Sequence, residues 1–184
     1  MSSFTDFCSD FFKRYFEFHP TEAIYYGIEG FDHLLKDYSD ATYQAEEAFV
    51  EESLKRLQQI PVEDLDQDQA IDYALLEGRL TIQRYEQEKE DYRLKWPDTY
   101  LTVDAIYILT VRPTNDLAMN LLSRLERTPA VIQQGIANLS RPEANPPRLW
   151  TEMAIEAAKG GLSFLDTLTA HPRVQPTVKN TAAL

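Results

Sequence analysis

The chain has 184 residues, of which 43% are hydrophobic and 26% charged, a globular composition rather than a disordered or fibrous one. A chain of this size suits one domain able to bury roughly 70% of its unfolded surface, and its 6 glycines and 10 prolines favour long helices over many short strands. A formal net charge of -12, with no cluster of Lys and Arg, excludes nucleic acid as a partner and disfavours an anionic membrane surface.

At the N-terminus Asp6 and Asp10 precede Lys13, the reverse of a signal peptide's basic start, and no run approaches the ~20 apolar residues that span a bilayer. A lone cysteine, Cys8, cannot close an internal disulfide. The expected location is therefore cytoplasmic.

From Phe4, at 100° per residue, Phe4, Phe7, Cys8, Phe11, Phe12, Tyr15, Phe16 and Phe18 fall on one half of a helical cylinder, with Asp6, Asp10, Lys13 and Glu17 opposite. Pro20 ends this helix, and Thr21 to Tyr26 reads as a short helical turn closed by Gly27, a residue suited to positive φ. A second long helix runs from Ser39 to about Ile60, with Tyr43, Val50, Leu54 and Leu57 on its stripe and Pro61 as its stop.

Two apolar faces mark the helix from about Asp68 to Glu90. Ile71, Ala74, Leu75, Ile82 and Tyr85 form one, and Tyr73, Leu76 and Leu80 the other, so partners are expected on both sides. Beyond Trp96 and Pro97 the pattern predicts a helix near Asp98 to Thr110. The next starts at Thr114 or Asn115 as N-cap, carries Leu117, Leu121, Leu122 and Leu125, and breaks at Pro129. A further short helix reaches about Leu139, followed by a loop with Pro142, Pro146 and Pro147.

The last helix, about Leu149 to Thr169, carries Ala154, Ala157, Ala158, Gly160 and Gly161, small residues that permit close approach of a neighbour, with Ile155 and Leu162 on its far side. The tail from Pro172 to Leu184 has no clear cap and reads as chain interrupted. Together these elements predict an all-α fold, a multi-helix bundle or array of about seven to nine helices without significant sheet. One domain over residues 1–184 is expected, as the N-terminal segment of a longer architecture.

No residue is assigned a catalytic, cofactor-binding or metal-binding role. His19, His33 and His171 are never one helical turn apart and none precedes a glutamate, so each suits a surface or capping position. Cys8 lies between Phe4 and Phe12, where apolar burial makes a thiol inert. The acidic pairs Glu46 with Glu47, Glu51 with Glu52, and Asp64 with Asp66 suit solvated faces in so acidic a chain. Glycine-rich phosphate loops, nucleophile elbows and Cys-x-x-Cys pairs are absent from the sequence. Arg112 beside Pro113, and Arg124 at the edge of the leucine stripe, stand out among the basic residues; Arg124 is expected to snorkel or pair with an acid.

The order of several short patterns resembles the N-terminal part of the bacterial domain-of-unknown-function 885 family. These are Phe16 with Pro20-Thr21-Glu22-Ala23 and Gly27; Leu35 with Asp37-Tyr38-Ser39; and Ile71-Asp72-Tyr73 with Leu75-Leu76. Further along come Leu121-Leu122-Ser123-Arg124-Leu125 with Pro129, then Ala154, Ala158, Gly161 and Phe164-Leu165. The resemblance implies similarity to helical zinc metallopeptidases of the gluzincin kind, with a His-Glu-x-x-His type site, typically His-Glu-x-x-Pro-Gly-His, in a later part not contained in this chain. It implies zinc only there, a peptide-like substrate for the longer protein, and a cleft-wall or lid role for this segment. The alternative is a stand-alone non-catalytic module working through homo-oligomer or protein contacts.

Overall fold

A computed structural model describes residues 3–174, and within them there are seven α-helices and no strand. The all-α expectation holds. No helix among the described residues is long and apolar enough to cross a membrane. The chain folds as two compact units.

The first unit combines the chain through Phe18 with Ser39–Tyr92. It holds α1 (Phe4–Phe18), α3 (Asp40–Leu57) and α4 (Gln67–Lys89). Helix α1 starts where Ser3 and Asp6 cap each other, the Asp6 N–H donating to Ser3 Oγ at 3.1 Å and the Ser3 N–H to Asp6 Oδ2 at 3.2 Å. Ser39 caps α3 through the Thr42 N–H, and Asp66 with Gln69 forms a reciprocal capping box at α4. Phe4, Phe7, Phe11, Val50, Leu54, Leu57, Tyr73 and Leu80 meet in one core, each burial of a large side chain contributing about 1.5–3 kcal/mol. Phe12 departs from the expected apolar face and is half exposed.

The expectation that α4 is covered on both faces meets a different outcome. Tyr73 and Leu80 are buried, whereas Ile71, Leu75, Ile82 and Tyr85 on the opposite face are open among the described residues.

The second unit comprises His19–Tyr38 and the chain from Arg93 onward. It contains the short α2 (Pro20–Ala23), α5 (Val103–Val111), α6 (Leu117–Leu139) and α7 (Arg148–Leu168). Gly27 closes the first turn at φ 69, as its position predicts. Ile24, Ile106, Ile108, Leu109, Leu121, Leu168 and Val174 form the core.

Three boundaries differ from the sequence pattern. Pro97–Tyr100 is a 3-10 turn, and extended Leu101 separates it from α5, so no helix begins at Asp98. Buried Tyr100, whose hydroxyl donates to the Arg93 carbonyl at 2.7 Å, holds this turn. The α6 cap is Asp116, accepting from the Met119 N–H at 3.0 Å, because Thr114 is engaged by Asp32 and Asn120 at 2.6 Å each. Pro129 does not break the helix. It lies on the exposed side of a continuous α6, while Leu121, Val131 and Gly135 bury the stripe before and after it.

The small residues of α7 are used unequally. A Cβ at Gly161 would collide with Val103, so this glycine brings α7 against α5, whereas Gly160 faces open space. The tail expectation falls, beyond Val174, outside the described residues.

Candidate functional site

Buried polar side chains in the second unit converge on Tyr38. Its carbonyl accepts from Arg93 Nη1 at 3.0 Å and Asn138 Nδ2 at 3.1 Å, and its N–H donates to Gln134 Oε1 at 2.9 Å. Gln134 is itself oriented by Asp37 at 2.6 Å, and Asn138 also reaches the Tyr100 hydroxyl at 3.0 Å. The charge-assisted bond from Arg93, together with the two amide bonds, fixes the half-buried Tyr38 backbone more firmly than apolar contact alone.

That clamp sets one wall of a cavity of about 190 Å³. Thr21, Tyr25, Lys36, Tyr38, Thr102 and Asp104 supply its polar groups, and Ile108 and Val131 part of its apolar wall. The Tyr38 hydroxyl is spent on the Thr99 carbonyl at 2.9 Å, Thr102 is tied to Thr128 at 2.9 Å, and the Lys36 ammonium lies 3.5 Å from His19 Nδ1. Drug-sized ligands take roughly 300–1,000 Å³. The cavity is therefore matched in size to a few waters or a small polar molecule.

Behind Ala105 lies Arg124, fully buried, its Nη1 donating to the Ala105 carbonyl. Its Nε and Nη2 have no hydrogen-bond partner among the described residues. Burial pulls the guanidinium down to about 10, with Asp32 and then Tyr25 opposing the shift, so it remains charged at neutral pH. Arg124 thus neither snorkels nor forms an ion pair. The leucines flanking it in α6 carried the opposite signal, since a cation beside a leucine stripe ordinarily reaches solvent along its apolar stem.

The first unit carries an open groove of about 630 Å³ along α1 and α3, floored by Phe7, Phe11 and Phe49 and rimmed by Asp10, Arg14, Glu52 and Arg56. Arg56 lies 3.5 Å from Asp10 and 5.4 Å from the Phe7 ring centroid. Both charge signs alternate on the rim, so no field of one sign selects a ligand.

The other singled-out residues are placed apart. His19 Nδ1 approaches Glu22 at 3.5 Å, the His33 carbonyl accepts from Ser123, and His171 Nδ1 accepts from the Arg173 N–H at 3.3 Å. Glu46 is a correction to the solvated-face reading: it is buried and accepts from Gln83 Nε2 at 3.3 Å. Glu51 pairs with Lys55 at 3.0 Å, and this hydrogen bond holds its carboxyl below the ordinary value. Burial, reinforced by the Asp72 charge, raises the Cys8 thiol. Arg112 lies over the Tyr25 ring at 6.0 Å. Among the described residues no three His, Cys, Asp or Glu side chains come together as metal ligands.

The fold has a solved counterpart in the structure of a "putative lipoprotein of unknown function" from Shewanella oneidensis, 23% identical with a TM-score of 0.77. The match covers 100% of this chain and 35% of that one, so the chain spans about a third of the counterpart's length; at this identity the likeness is one of fold. No curated protein matches the chain. Residues 20–183 match the family described as "Bacterial protein of unknown function (DUF885)", and the chain belongs to that family.

Proposed function

We propose that this chain is the N-terminal helical wall or lid of a substrate cleft in a longer DUF885 architecture, with zinc-dependent, peptidase-like hydrolysis carried out by the remainder. The supporting observation is coverage: the whole chain superposes on only 35% of a longer fold. The zinc and peptide parts of the proposal rest on the family's resemblance to gluzincin peptidases. The described residues do not fit a zinc ion, since their three histidines lie apart and no ligand cluster forms, so no catalytic step is assigned to them.

The test is to read the source gene in frame past the Leu184 codon and to assay the product for stoichiometric zinc and peptide hydrolysis. A continuing helical sequence with a His-Glu-x-x-His motif and bound zinc is the expected result. An immediate stop, or zinc bound tightly by the 184-residue chain alone, would overturn it. A cytoplasmic location belongs to the same proposal; the counterpart's description as a lipoprotein points the other way, and cell fractionation decides between them.

The open outer face of α4 also favours a second reading, a stand-alone module that associates through that face. Concentration-dependent dimerisation in light scattering would support it.

A further inference from the structure

On α4 the buried Tyr73 and Leu80, 8% and 0% exposed, lie opposite Ile71 (53%), Leu75 (67%), Ile82 (53%) and Tyr85 (60%). At 100° per residue these four open side chains share one stripe with Ala74 and Gly78. Single exposed apolar residues are ordinary, but a continuous stripe along three turns is a contact surface. Gly78 sharpens the inference. A glycine within a helix weakens it, and a Cβ placed at Gly78 meets nothing within 4 Å, so nothing in the described chain requires its small size. A glycine notch centred in an apolar stripe suits close approach by a second helix.

The rims of the stripe indicate what that helix carries. Asp68, Asp72 and Glu86 lie along one edge with Arg79. Glu77 and Glu88 lie along the other with Arg84, which pairs with Glu88 at 3.9 Å, and Lys89 closes the stripe over the Tyr85 ring at 5.5 Å, so five carboxylates face three cations and the rim is net acidic. Asp68, Asp72 and Glu86 have no ion-pair partner among the described residues. An acidic rim repels an anionic lipid surface and attracts Lys and Arg.

We infer that the outer face of α4 receives one amphipathic helix with an apolar stripe and basic flanks, belonging to the part of the longer DUF885 architecture that lies outside this chain and crossing at Gly78. This inference rests on the function proposed above and specifies where the longer protein closes on this segment.

The experiment compares the 184-residue chain with the product of the complete source reading frame by covalent side-chain footprinting. Labelling of Leu75, Ile82 and Tyr85 is expected to fall about fivefold in the longer product as the face becomes buried. Gly78→Ala serves as a second readout with opposite signs. It is expected to raise the Tm of the 184-residue chain by about 2–4 °C through helix propensity and to lower that of the longer product, where the notch is filled.

If the frame continues and labelling is unchanged, the inference is overturned while the proposed function stands. If the frame stops at Leu184, both fall. If the 184-residue chain dimerises and Leu75→Glu returns a folded monomer, the occupant is a second copy and the inference is likewise overturned.

Discussion

Gly135→Ala tests the polar clamp through its tightest contact. An alanine in a helix interior ordinarily gains about 0.5–1 kcal/mol over glycine. At Gly135 the added Cβ would lie 2.6 Å from Tyr100 Cγ, and 2.9 Å from both Tyr100 Cβ and Cδ2. Carbon atoms pack at about 3.5–4.0 Å, so the root of the ring must retreat by about 1 Å. That atom is not the flexible end of a side chain, and the turn Pro97–Tyr100 has to move with it. Overpacking of this kind costs about 1–3 kcal/mol. Displacing the Tyr100 hydroxyl from the Arg93 carbonyl and from Asn138, at 2.7 and 3.0 Å, strands buried polar groups, which costs about 1–3 kcal/mol more. After the propensity gain, the net loss is about 3 kcal/mol. Urea unfolding followed by far-UV circular dichroism should show a lower midpoint with an unchanged slope. Gly160→Ala, where a Cβ meets open space, is the control and should gain about 0.5–1 kcal/mol. Equal or greater stability of Gly135→Ala than of the parent would refute the packing argument.

Other perturbations read different parts of the fold. Asp66→Ala removes the oxygen that accepts the Gln69 N–H at 2.9 Å and should cost about 1 kcal/mol in the same unfolding assay. Cys8 alkylation at pH 8 should run slower than that of free cysteine, because burial and then Asp72 raise the thiol and reduce its thiolate fraction; Asp72→Asn should speed it without reaching the free rate. Arg124→Met removes a buried charge with two unpartnered nitrogens while roughly filling its volume, so it should unfold at no lower urea than the parent. Arg124→Ala leaves a hole in its place and should fall about 2 kcal/mol below the methionine variant.

Helices α1 and α3 were legible in the sequence because their cores are local stripes: Phe4, Phe7 and Phe11, then Val50, Leu54 and Leu57, are spaced by the helical period and buried as a set. Pro129 misled because local rules register its missing N–H but not the buried residues on either side that carry α6 across it. The same gap hid the polar clamp. Arg93 and Asn138 look like ordinary surface residues in their own segments, and Asn138 meets the Tyr38 carbonyl across 100 positions, beyond the reach of any periodicity. The chemistry of Glu46 points to a solvated face and that of Arg124 to snorkelling or an acidic partner, and only tertiary packing encloses them. On α4 the outer stripe was visible as apolar from spacing alone; its openness became visible only with the chain folded.

The bond from Arg93 to the Tyr38 carbonyl has a kinetic consequence. Its partners are 55 positions apart, so an unstructured intervening chain would have to surrender considerable loop entropy before the clamp could close. The intervening chain is not unstructured: it is the α3–α4 hairpin, and Tyr43 near its start lies with ring centroid 6.1 Å from that of Tyr92 at its end. Contacts close in sequence form fastest, so pairing of α3 with α4 outward from their connecting turn is expected to precede closure of the clamp and to bring Arg93 towards Tyr38. Weakening α3 against α4 should therefore slow the assembly of the second unit, although no residue of that unit has been altered.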